Sequence, residues 1–331
     1  RDGRHRLGDP GGDGVTDEDP IPDGHSFALL LTHDVDRPYK TYQSVYYAVK
    51  ERDPSHLASL LPGINPYWQF ENVRALEEDL GVRSAFYFLD EQRLFRDRPL
   101  RDLLSPKAWR LYAGRYDPTE PPFPEIIRDL DARGWEVGLH GSYESYADAD
   151  RIAAEKETLE SILGHAVVGG RQHYLNLEVP DTWRRQAAAG LKYDASLGSS
   201  SSAGFDHGTG IERPFDDEFV VFPLTIMEQS LPDPDADPER AWEVCRALIE
   251  RAEEEAAVMS VLWHPRHLSA RDFPGHLPLY RRLIQEALDR GAWVGPPADL
   301  YARLDHPSPA GGGGCSTAPT DASPRRVDTS D

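Results

Sequence analysis

An alternation constrains this 331-residue chain more than any other feature. Short apolar runs at 27–31, 85–89, 135–139, 167–168, 220–222 and 258–263 are separated by longer stretches with helical apolar spacing. Those stretches cover 68–80, 124–133, 150–163, 180–189, 238–257 and 277–290. Continuous apolar runs suit strands covered on both faces, and a helix between consecutive strands makes the strands parallel. So many units predict an α/β domain: a barrel, or a barrel-like parallel sheet surrounded by helices. Gly81, Gly134, Gly190 and Gly291 each follow a helical pattern, where a left-handed C-terminal residue is expected.

One domain is expected over 25–305. The flanks, 1–24 and 306–331, are rich in Asp, Gly, Pro and Ser and lack apolar periodicity, so both read as disordered arms. The first arm has no apolar core of the kind a secretion signal needs, and no run is long enough to span a bilayer; a cytoplasmic location is expected. Cys245 and Cys315 cannot make a disulfide framework. A net charge of −21 argues against nucleic acid or an anionic membrane surface as partner. Only five of the 36 basic residues are lysine (Lys40, Lys50, Lys107, Lys156 and Lys192). Excess acid with scarce lysine predicts a protein adapted to concentrated salt, where screening shortens the range of self-repulsion.

The chemistry gathers at the carboxyl ends of the apolar runs. The first ends in Thr32-His33-Asp34-Val35-Asp36, the third in His140, the fourth in Arg171-Gln172-His173 and the last in His264. In parallel α/β domains these ends converge on one rim, where polar residues are usually functional. Asp34 and Asp36, two apart on extended backbone, point to one face, and a cation or an arginine must offset their mutual repulsion. Two Asp and three His without a cysteine cluster suit a divalent cation with N and O donors: zinc, or else cobalt, manganese or nickel. His25, His207, His267, His276 and His306 read as ordinary surface or loop histidines. No Walker loop, dinucleotide fingerprint or nucleophile elbow is present, and 199–202 is a serine run without the elbow's glycines.

At these residues the sequence resembles the polysaccharide deacetylases (carbohydrate esterase family four and relatives), over roughly 27–304. The resemblance implies a distorted (β/α) barrel and a metal-dependent hydrolase that removes acetyl groups from an N- or O-acetylated carbohydrate. Asp34 then matches the catalytic base, Asp36 a metal ligand, His140 the first histidine ligand, Arg171 the arginine that orients the base, and His264 the general acid. The segment 193–196 is similar to a further strand of the family. The family's second histidine ligand is replaced by Glu144, and its Pro and Gly near the arginine by His173 and Leu175. The third ligand is accordingly expected to be His173, with Glu144 the alternative. An amide hydrolase acting on a non-sugar substrate, or a carbohydrate-binding protein with a decayed site, are the rival readings. Seven aromatic residues after the first motif (Tyr39, Tyr42, Tyr46, Tyr47, Tyr67, Trp68 and Phe70) either stack on sugar rings or pack an inserted helical pair on the barrel.

Overall fold

The computed structural model describes residues 20–61, 63–215 and 218–304. The two predicted arms, apart from 20–24, together with His306 and Cys315, lie outside the described residues. Among the described residues nine strands form one parallel sheet: β1 (Ala28–Val35), β2 (Ala85–Leu89), β3 (Glu136–Gly141), β4 (Gly169–Gln172), β5 (Tyr193–Asp194), β6 (Val220–Val221), β7 (Ile226–Met227), β8 (Val258–Leu262) and β9 (Trp293–Gly295). Their order is β6-β5-β4-β3-β2-β1-β8-β7, with β9 beside the first half of β1. The sheet curls into a distorted barrel that no ladder closes between β6 and β7.

Helices cover its outside: α1 (Gln43–Lys50), α2 (Phe70–Leu80), α3 (Pro106–Tyr112), α4 (Phe123–Ala132), α5 (Ala149–Leu163), α6 (Asp181–Ala188), α7 (Pro238–Glu254), α8 (His276–Asp289) and α9 (Pro297–Tyr301). The six anticipated helices appear within a few residues of their expected limits, and all four predicted glycines have positive φ. Gly164 plays the same part after α5.

Alternation along the strands divides the core in two. Phe27, Leu29 and Leu31 face the helices with Phe86, Phe88, Val137, Leu139, Met259, Val261 and Trp263. Ala28, Leu30, Ala85, Tyr87, Tyr193, Val220, Phe222 and Val258 fill the barrel. Two glycines make the interior possible. A Cβ on Gly138 would lie 2.6 Å from the Tyr87 ring, and one on Gly169 would lie 2.4 Å from the Tyr193 ring. The rings occupy that space instead, and their hydroxyls hydrogen-bond at 2.9 Å.

The differences from expectation have local causes. β1 runs on through the polar motif to Val35, because Thr32–Val35 pair with β2 and Thr32 also with β8. Residues 167–168 are not a strand: Val167 packs into the helix-facing core, and β4 begins at Gly169. A two-valine run is too short to mark which residues enter a ladder. β5, β7 and β9 have two or three residues each, so periodicity cannot reveal them. The insertion after the first motif is a helical pair, α1 followed by a short helix at Pro54–Leu60. Tyr39, Trp68 and Phe70 pack with Phe123 or the core, while Tyr67 borders a small recess beside Arg266.

Candidate active site

Inward alternation carries Thr32 and Asp34 from β1, Asp36 just beyond it, His140 from β3, Arg171 from β4 and His264 after β8 to the carboxyl end of the barrel. His33, one residue out of phase, faces the helices instead. Its ring meets Trp263 O at 2.6 Å and Glu77 Oε1 at 3.0 Å, a structural role. A pocket of about 190 Å³ is lined by Asp34, Asp36, His140, His173 and His264, with Arg266, Ser200, Met227 and Gln229 among the other wall residues.

Arg171 is fully buried and donates through Nη1 to Asp34 Oδ1 at 2.8 Å and Thr32 Oγ1 at 2.9 Å, and through Nε to Ala195 O at 2.7 Å. One Asp34 oxygen is thereby fixed. The other, Oδ2, lies 3.8 Å from His140 Nε2.

Asp36, His140 and His173 each offer a ligand atom, all within 4.8 Å of one another. The test of whether they suit a cation is the His140 ring. Its Nδ1 lies 2.9 Å from Arg171 O, which can only accept, so Nδ1 carries a proton. In the neutral ring Nε2 is then a lone pair, 3.0 Å from the carboxylate oxygen Asp36 Oδ1. Two acceptors at that distance need a positive charge between them, either a second ring proton or a cation. The donor chemistry fits a divalent ion with one carboxylate and two imidazole ligands. His173 Nδ1 is buried without a hydrogen bond and lies 3.5 Å from Glu91 Oε2, while Arg115 Nη2 stands 3.3 Å from Nε2.

Glu144 does not join this group. Its side chain is half exposed and faces Arg98 and Arg151 at 3.9 and 3.8 Å. The turn that delivers His173 is unusual, because Tyr174 and Leu175 both have positive φ (59° and 55°). Leu175 stands where the resembling family has glycine, and a side chain there costs about 1 kcal/mol or more.

Across the pocket from His140 and His173, His264 directs Nε2 toward Asp36 Oδ2 at 3.5 Å and donates through Nδ1 to Glu228 Oε1 at 2.7 Å. The same oxygen lies 2.5 Å from His267 Nδ1. His267 and His276 are therefore not surface residues as expected: both are buried, with their rings stacked 5.3 Å apart. The short helix at Pro265–Leu268 turns His267 inward, which sequence spacing does not show.

Burial opposes charge at each of these groups, and the neighbours decide the outcome. Burial alone would raise Asp36, but the charges of His173 and His264 and the hydrogen bond from His140 hold it well below the usual carboxylate range. Burial and the Arg115 charge push His173 down to about 4. Burial would lower His264, yet the Glu228 charge outweighs it and lifts the ring to about 9. His264 so placed holds a proton at neutral pH.

Four participants were not anticipated. Glu91 follows the end of β2 and accepts from Tyr143 N at 2.8 Å, and Glu228 follows β7. Inspecting every strand end for polar residues would have found Glu91. β7 is too short to announce itself. Arg266 donates to Asp36 Oδ2 at 3.1 Å from the short helix Pro265–Leu268, and Arg115 to Asp36 O at 3.0 Å from the loop after α3.

No family model matches the chain, and no curated protein sequence matches it significantly. Solved structures do. A Mycobacterium smegmatis protein assigned to the polysaccharide deacetylases aligns with a TM-score of 0.55 at 20% identity, over 86% of this chain and 91% of its own. A Pseudomonas aeruginosa PAO1 protein assigned likewise gives 0.55 at 15% identity, over 87% and 94%. The chain has the polysaccharide deacetylase fold. PuuE allantoinase aligns equally well, with a TM-score of 0.55 at 14% identity over 91% and 97%, so the deacetylase fold is also the scaffold of a differently named enzyme. Among the described residues no helix is long and apolar enough to cross a membrane.

Proposed function

We propose that the protein is a metal-dependent hydrolase that removes acetyl groups from an N- or O-acetylated carbohydrate. The observation that carries this reading is one pocket holding an arginine-anchored carboxylate (Asp34), a carboxylate–imidazole donor set (Asp36, His140 and His173), and a protonated imidazole (His264). Bound there, a divalent ion, zinc before cobalt, manganese or nickel, would polarise the acetyl carbonyl and acidify a water. The chain's own residues supply the proton transfers. Asp34 Oδ2, its partner oxygen pinned by Arg171, takes a proton from the attacking water. His264 gives its Nε2 proton to the departing amine or alcohol, while Glu228 holds Nδ1 and so fixes which nitrogen faces the pocket. A decayed binding site would need neither a base nor an acid, yet both retain buried partners here.

The test is acetate release across acetylated oligosaccharides, measured beside metal content. Asp34→Asn should retain the metal and lose turnover by about 10²-fold or more, and His140→Ala should lose both. Wild-type activity in either variant would remove the assignment. A ureide or other non-sugar amide hydrolysed in preference to every acetylated sugar would favour the amide-hydrolase reading that the allantoinase likeness raises.

A further inference from the structure

Large apolar side chains standing well exposed are concentrated in this molecule. Of thirteen among the described residues, eleven lie in two insertions, at 45–64 and 95–109. The first contains α1 and the helix after it; the second contains the turn Leu100–Leu104 and α3. The insertions adjoin, since the recesses along them share Thr41 and Tyr42. Exposure is 89% at Leu104, 83% at Leu100, 74% at Val49 and 73% at Phe95. α3 packs through Ala108, Leu111 and Tyr112, so these protruding groups are not needed for its docking on the barrel. Single exposed apolar residues are ordinary, but a contiguous group marks a contact surface.

The local charge says what kind. Although the chain carries −21, residues 93–110 hold six Arg or Lys against two Asp, a balance of 6 − 2 = +4. Arg93, Arg96 and Arg98 are taken up by Asp97, Asp117, Asp90, Asp102 and Glu144, which leaves Arg101, Lys107 and Arg110 exposed and outside any ion pair among the described residues. A second copy of the chain meeting this face symmetrically would set one basic strip against the other, which opposes self-association there. Protruding Leu, Phe and Trp interspersed with Arg101, Lys107 and Arg110, beside a first insertion whose Lys50 and Arg52 balance Glu51 and Asp53, are instead the pattern of a protein surface that dips into a lipid interface.

We propose that this face binds an anionic lipid surface peripherally. Leu100, Leu104, Phe95 and Val49 enter below the headgroups, and the basic side chains meet the lipid phosphates. Total charge does not decide such contact, because only charges within a screening length of the lipid are felt. The same segment leads into the pocket: Arg115, five residues beyond Arg110, is the residue that donates to Asp36 O.

The experiment is vesicle flotation of the full chain, at the lowest salt at which circular dichroism shows it folded. Phosphatidylcholine vesicles are compared with vesicles containing one-third phosphatidylglycerol. The protein should float with the anionic vesicles at least fivefold more than with the neutral ones. Leu100→Ser combined with Leu104→Ser should lower recovery about tenfold, and Arg101→Glu with Lys107→Glu should abolish the preference for anionic lipid. All four positions are exposed, and unchanged circular dichroism keeps loss of fold apart from loss of binding. Failure to float, or equal flotation of wild type and both variants, overturns the proposal. A dimer in sedimentation that the Leu→Ser pair dissociates would assign the face to a second copy and also overturn it. None of these readouts depends on turnover.

Discussion

Replacing Arg171 by methionine isolates the interaction on which the proposed base depends. Arg171 is 0% and Asp34 3% exposed, so removing the guanidinium leaves a carboxylate in the barrel interior, with His140 Nε2 at 3.8 Å as its remaining close polar neighbour. Breaking a buried ion pair in this way costs about 3–5 kcal/mol, and the lost bond to Ala195 O adds about 1 kcal/mol. Asp34→Leu alone strands the arginine and should cost a similar amount. The double variant removes both charges, so its loss should fall short of the summed single losses by about 2 kcal/mol or more. Urea unfolding of the four chelated proteins at one salt concentration measures this directly. Additivity within about 0.5 kcal/mol would show that the two side chains do not act as a pair, and Arg171 would lose its role in orienting Asp34.

Three further outcomes follow from the geometry. After chelation, zinc supplied at a hundredfold excess over its dissociation constant should stabilise the protein by about 2.7 kcal/mol; thermal unfolding should show most of that shift lost in His140→Ala and His173→Ala but kept in Glu144→Ala. Burial raises Glu155 to about 7, against the lowering effects of Ser142 and Arg151, so its contribution is present below about pH 4.5 and is lost as pH rises through 7. Wild type should therefore lose on the order of 2–3 kcal/mol relative to Glu155→Gln across that window in urea titrations, and parallel curves would contradict the shift. Transfer from molar to millimolar salt should lower the melting temperature and activity of this −21 chain; an unchanged melting temperature would refute the adaptation to salt.

How much the sequence disclosed depended on length of signal. β1, β2, β3 and β8, with five to eight residues each, were visible as apolar runs, and they carry the rim positions Asp34, His140 and His264. The paired exposure of Asp34 and Asp36 to one pocket follows from a period of two and needed no tertiary information. Glu228 needed all of it: a two-residue strand precedes it, and its partner His264 is 36 residues away. His267 was read as a surface or loop histidine because nothing in the sequence marks the single turn of helix at Pro265–Leu268 that buries it. Arg115 and Arg266 reach Asp36 from segments without periodicity, so no local pattern could have placed them.

The unjoined seam of the barrel bears on what the pocket can admit. Residues 222–225 connect β6 to β7, and their backbone N–H groups divide between the two sides: Phe222 donates to Asp194 and Leu224 to Leu197, while Thr225 donates to Ser260. Ser200 stands on one bank of that gap, with Met227 and Gln229 on the other. The connection between β5 and β6 bridges the gap, Gly204 N donating to Thr225 O at 2.9 Å and Val258 N to Thr209 O at 2.8 Å, so loop bonds rather than a strand ladder hold the banks together. Widening the pocket there for a bulky or branched guest would cost those few loop bonds, where a fully laced cylinder would have to surrender strand pairing.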